Sequence, residues 1–177
     1  MFGRERRQER RFERDATRYQ MRQKLVSIGD DFWIENDRGE RVYKVDGKAL
    51  RIRQTLIFEN PQGQELAKIQ EKMVRVRDTM EIEGPNGETL ATVKKALITP
   101  LRDRWTVKVG EGPDLEIQGN ILDHEYTIES GREKVAEISK KWFRLADTYG
   151  VEVASGQNDL VILAATVAVD MMANPAR

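Results

Sequence analysis

Lysine returns along this chain at a nearly constant interval: Lys24, Lys48, Lys72, Lys95 and, after a gap, Lys141. In the gap, Gly119 stands at the equivalent place. Arginines crowd the same stretches, among them Arg75 and Arg77, with Arg51, Arg53 and Arg144 in corresponding positions. Clustered ammonium groups attract phosphate by charge, and the guanidinium fork adds bidentate geometry. Brought to one level of a repeating fold, these residues form a cationic belt for a polyanion such as a phosphoinositide or another anionic phospholipid headgroup. The competing reading is a solvated outer face, on which lysines discourage strand edges from pairing with other chains. Interleaved Glu40, Glu71, Glu81 and Glu83 favour that second reading.

Asp123-His124-Glu125 holds the only histidine, and an imidazole between two carboxylates has the composition of a general base or a metal site. No second ligand cluster accompanies it, the sequence lacks serine or cysteine nucleophile motifs, and no acidic loop has calcium-binding spacing. With no cysteine, disulfides and thiolate metal sites are excluded. Neither catalysis, nor a metal, nor a cofactor is expected. Trp33, Trp105, Tyr126, Trp142, Phe143 and Tyr149 have the ring faces of base-stacking platforms. Their recurrence at strand starts points instead to packing in or on a wall.

Thirty basic and thirty acidic residues cancel within 177, so partners must be met by local patches. One such patch opens the chain: residues 1–18 hold seven arginines against three glutamates and one aspartate. This arm mixes signs at helical spacing and reads as a solvated helix. It supports an alternative function, a nucleic-acid-associated or regulatory adaptor acting through the arm, although the balanced total charge argues against nucleic acid as the main partner. No apolar stretch follows these charges, so the expected location is cytoplasmic, peripheral at the inner membrane surface if lipid is bound.

What must position these groups is a repeat. Units of similar pattern begin at Phe32, Leu56, Met80, Trp105, Tyr126 and Tyr149. Each opens with apolar/polar alternation, as in Trp105, Val107, Val109, then meets a turn cluster (NDRG, NPQG, GPNG, GEGPD, SGRE or SGQND), then alternates again. Each unit is a hairpin, with tight corners such as Asp78-Thr79 and Asp123-His124 linking one to the next. Changes of alternation parity along the return strands place an extra residue near Gly47, Glu71 and Lys140. One strand before Phe32, five hairpins, and Tyr149 to Ala154 make twelve strands.

The sixth return strand is replaced by LVILAATVAVDMMA. Uncharged from Leu160 to Val169, and opened by Asn158 and Asp159 as N-caps, it predicts a helix at about 159–173. Such a helix is roughly 20 Å long, against a hydrocarbon layer near 30 Å. It is apolar all round, with Leu160, Leu163, Ala164 and Val167 on one side alone, and so must be buried on every face. Twelve tilted strands close at a backbone diameter on the order of 24 Å, leaving a bore near 14 Å after inward side chains are subtracted. A helix is about 10–12 Å across. The expected architecture is mainly β, a closed twelve-stranded antiparallel barrel enclosing its hydrophobic C-terminal helix. Residues 1–18 would form the arm, 19–173 the barrel domain with its helix, and 174–177 a tail.

Residues 19 to 172 resemble the LURP-one-related proteins, relatives of the tubby C-terminal domain and the phospholipid scramblases. The resemblance rests on YQMRQKLVSIGDDFWIENDRGERVYKVDGK, ATVKKALITPLRDRWTV, LDHEYTI and VAEISKKWFRLADTYGVEV, followed by the apolar tail. It implies the same helix-threaded barrel, no established enzymatic activity, and, by similarity to tubby and the scramblases, an anionic phospholipid as ligand.

Overall fold

The computed structural model describes residues 2–22, 31–47, 55–71, 79–96, 103–143 and 148–173. A helix, α1 (Phe2–Asp15), leads into β1 (Thr17–Arg22). Then come β2 (Phe32–Asn36), β3 (Arg41–Asp46), β4 (Thr55–Glu59), β5 (Glu65–Glu71), β6 (Thr79–Glu83) and β7 (Thr89–Lys95). β8 (Asp103–Val109), β9 (Leu115–Asn120), β10 (Glu125–Ser130), β11 (Glu133–Ser139) and β12 (Thr148–Val153) follow, and α2 (Asp159–Ala173) ends the described chain.

All twelve strands lie in one closed antiparallel ring, each beside its neighbours in sequence. β1 closes it by pairing with β12 from Thr17↔Val153 to Arg22↔Thr148. Alternation decides which side chains turn inward: Ile34, Phe58, Ile69, Ile82, Val107 and Ile128 are fully buried, whereas Arg104, Thr106, Lys108 and Glu116 are exposed.

The repeated turn chemistry has one physical basis. Asn36 Oδ1 accepts hydrogen bonds from the amides of Arg38 and Glu40, both at 3.0 Å, while Gly39 takes φ +74°, a left-handed conformation that a side chain would resist. One unit later, Asn60 accepts from Gln62 and Gln64 at 3.0 and 2.9 Å, and Gly63 takes φ +82°. Just inside these turns the register slips, so that two residues of the return strand face one partner, at Ile34/Glu35, Phe58/Glu59, Ile82/Glu83 and Ile128/Glu129. The irregularities thus sit at the start of the return strands. At the sites where sequence parity placed them, β3 stops just before Gly47 and β5 stops at Glu71, and the residues beyond lie outside the described segments. Near Lys140, β11 has ended and a turn joins the Phe143 amide to the Lys140 carbonyl at 3.2 Å.

The hairpin turns gather at one end of the barrel, and the Ile121–His124 link between units lies at the other. Entering from the hairpin end, α2 starts where Asn158 Oδ1 accepts the Val161 amide at 3.2 Å, the N-cap of the helix. It touches β12 on one side and β5, β6 and β7 on the opposite arc of the ring. Every residue from Val161 to Met171 is buried, and Leu163, Ala164 and Val167 are wholly inaccessible, with Leu160 half-buried at the entrance. The bore is filled by the chain's own C-terminal segment.

Since Leu163 has no exposed surface and belongs to the buried core, Leu163→Ala is expected to lower the unfolding free energy by about 2–5 kcal/mol, read from urea denaturation. Removing residues 158–177 should leave a barrel that aggregates. A truncated chain that stays soluble and melts cooperatively would contradict the filled-bore architecture.

Candidate functional site

Three groups of chemistry-bearing residues can be placed. The first is the histidine. His124 ends the Ile121–His124 turn between β9 and β10, where its amide donates to the Ile121 carbonyl at 3.1 Å and its φ of +53° turns the ring inward. That left-handed conformation is tolerated by histidine more often than by most residues. The imidazole is 1% exposed. Its Nε2 lies 2.9 Å from Asp170 Oδ1, and its ring stacks on Tyr149 with centroids 4.2 Å apart. Tyr149 in turn donates its hydroxyl hydrogen to Asp170 Oδ2 at 2.9 Å. Asp170 therefore accepts from both, and the carboxylate selects the imidazole tautomer with hydrogen on Nε2.

The flanking carboxylates go elsewhere. Asp123 accepts from the Asn120 side chain at 2.6 Å, and Glu125 accepts from Ser139 Oγ at 2.9 Å and from the Lys140 amide at 3.1 Å. Asp123-His124-Glu125 thus diverges onto three separate partners, and among the described residues no group of three potential metal ligands exists. The His124–Asp170–Tyr149 cluster is sealed from solvent. Its work is mechanical: it clips the last turn of α2 to the corner and to β12. The sequence reading missed this pairing, taking Asp170 only as an interruption of the apolar run. The available signal was the one histidine of the chain and an acid, Asp170, standing at the end of an uncharged run.

The second group is the lysine series. Lys24, Lys48, Lys72, Arg75 and Arg77 lie outside the described residues. Lys95 ends β7 with its Nζ 5.5 Å from the centroid of the Trp105 ring, and Lys141, just past β11, has its Nζ 3.8 Å from Glu125. Both are exposed. The strands that carry them are four positions apart in the ring, on the order of 19 Å along the wall. These two lysines do not share one ligand-sized site.

The third group is aromatic. Trp105, Tyr126 and Tyr149 are buried in the core. Trp142 and Phe143 instead fold over the outer face of β12, where a Cβ on Gly150 would come within 2.5 Å of Trp142. Arg18 covers Trp142 at 4.8 Å and gives its Nε hydrogen to Glu152 at 2.8 Å. Trp33 lies half-buried on the wall beneath Arg41. None of these rings forms an open stacking platform.

With this architecture in view, the comparisons are specific. Residues 17–170 match the LURP-one-related family. The chain belongs to that family. The barrel of this LURP-one-related protein is similar to an X-ray structure of a protein from Arabidopsis thaliana, with a TM-score of 0.68, 17% identity, and coverage of 90% of this chain and 93% of that one. At that identity the likeness is one of fold. No curated protein matches the sequence. The family match begins where β1 begins, so α1 lies outside it.

Burial holds the Tyr126 and Tyr149 hydroxyls well above the ordinary tyrosine range, and the charge of Asp170 adds to this. The sign of the stability effect follows. Above about pH 10 the unfolded chain releases these protons while the native barrel keeps them, so the unfolded state binds fewer protons and stability falls as pH rises. The expected loss is about 1.4 kcal/mol per pH unit for each tyrosine. Tyrosinate absorbance should appear together with unfolding, and Tyr149→Phe should make the decline shallower. Ionisation of both tyrosines in a chain with native circular dichroism would contradict the sealed cluster.

Proposed function

We propose that this LURP-one-related chain is a non-enzymatic binding or scaffold protein that meets anionic phospholipid headgroups at a membrane surface. One observation carries the proposal: α2 occupies the bore, so the interior that would hold a substrate in a barrel of this width is occupied by protein, and ligands are left to the outside. The burial of the His124–Asp170 pair supports a non-catalytic reading, because the one imidazole of the chain has no approach from solvent.

Contact with lipid would be peripheral. Among the described residues no helix is long and apolar enough to cross a membrane. The strands turn their apolar side chains inward and lysine, glutamate and threonine outward, the reverse of a wall that faces lipid, and Leu122 is the one large apolar residue left exposed among those described. Attraction would then come from surface cations, which the described residues offer in two places: Lys95 and Lys141 at the corner end and the arginines of α1. The relationship to phosphoinositide-binding tubby domains and to scramblases favours phosphate-bearing lipid as the ligand class.

Co-sedimentation tests this. The protein is expected to pellet with phosphatidylcholine vesicles doped with phosphatidylserine, phosphoinositide or cardiolipin, and to remain in solution with phosphatidylcholine alone. Binding should weaken as salt rises toward about 1 M, where the screening length falls to about 3 Å. Partitioning indifferent to both lipid charge and salt would sink the proposal.

A further inference from the structure

The arm reads as mixed charge in sequence, yet its helix sorts the signs. At about 100° per residue, Arg4, Arg6, Arg7, Arg10, Arg11 and Arg14 fall within an arc of about 160° of α1, and Glu5, Glu9 and Glu13 share an arc of about 80° on the far side. Packing decides which arc meets solvent. Phe12 is the anchor, 8% exposed, with Lys134 Nζ 4.5 Å from its ring centroid. Around it Glu5, Glu9 and Asp15 line a cavity of about 470 Å³ together with Arg132 and Lys134 at the hairpin end of the barrel. Two of the three glutamates thus border the barrel-side cavity, which Arg11 and Glu133 also line, and all three keep exposed surface. On the other side Arg7, Arg10 and Arg14, with Glu13 at the edge of their arc, border a concavity lined by α1 residues alone.

Those arginines are held rather than neutralised. Arg10 and Arg14 donate Nε hydrogens back to the carbonyls of Arg6 and Arg10 at 3.4 and 3.3 Å, and no ion pair joins Arg6, Arg7, Arg10 or Arg14 to any described residue. We propose that the arginine face of α1 is the docking surface through which the protein lies on an anionic phospholipid membrane. This rests on the phospholipid reading above and names the surface that would serve it.

A plane of phosphates suits this face better than a nucleic-acid duplex. A major groove about 12 Å wide encloses a helix on both flanks, and would bring Glu5, Glu9 and Glu13 against phosphate as well. A flat membrane touches one face only. From Arg6 to Arg14 that face runs about 12 Å and presents no large apolar side chain, so it would dock by charge without inserting. Since α1 sits at the hairpin end and Lys95 and Lys141 at the corner end, one membrane plane cannot engage both.

The test uses the full chain and vesicles of phosphatidylcholine with or without phosphatidylserine. Each arginine near such a surface is worth roughly fivefold in partitioning, so Arg7→Gln/Arg10→Gln/Arg14→Gln should lose on the order of a hundredfold, whereas the corresponding lysine replacements should keep most of the binding. Glu5→Gln/Glu9→Gln and Lys72→Glu/Lys95→Glu are expected to leave it within a fewfold of the parent. If the triple glutamine variant binds as well as the parent, or the Lys72→Glu/Lys95→Glu pair is the one that loses binding, the assignment to α1 is overturned while the phospholipid reading stands. Parent protein that ignores anionic vesicles overturns both. Preference for duplex DNA over vesicles at equal phosphate overturns the membrane as the occupant.

Discussion

A twelve-stranded ring is too wide to be filled by its own side chains, and the rest of this structure depends on how that void is closed. The answer is a segment of about helix diameter made almost wholly of alanine, valine, leucine and isoleucine. Burial of each large aliphatic side chain contributes about 1.5–3 kcal/mol, while the alanines let wall and helix approach closely. Wall and helix cannot be separated energetically. An empty ring would expose its apolar lining to water, and a free helix would expose every face.

A helix in a smooth apolar bore needs its depth and rotation set by something directional, and polar contacts at its ends supply this. At the hairpin end Asp159 accepts the hydroxyl hydrogen of Tyr19 from β1, beside the Asn158 cap. At the corner end Asp170 accepts from His124 and from Tyr149 of β12. Because these partners come from the strands that close the ring and from a corner link, sliding or turning α2 would leave buried polar atoms unpaired, at a cost of about 1–3 kcal/mol each. The same contacts that fasten α2 also remove the one histidine from solvent.

Filling the interior leaves the outer surface as the chain's open face. The outer surface combines balanced charge with local sorting, and sorting is what secondary and tertiary structure add. Arg18 and Arg14 are similar in sequence context, yet Arg18 is engaged by Glu152 and Trp142 while Arg14 lies on an open face of α1. Lys95 and Lys141 occupy equivalent places in the repeat and stand far apart around the wall. Equivalence along a repeat places residues at one height of a barrel, not at one point.

The sequence by itself determined the twelve strands, their antiparallel order and the buried helix, because alternation, turn residues and an uncharged run are local patterns whose physical demands have few joint solutions. Even the N-cap at Asn158 was legible, since capping acts within one turn. Only the tertiary structure decided that His124 meets Asp170, that Trp142 and Phe143 cover β12 from outside, and that Phe12 anchors α1 beside Lys134. Those contacts join residues far apart in the chain, where no spacing rule applies. Each is selected by which atoms closure of the ring brings within hydrogen-bonding or packing distance.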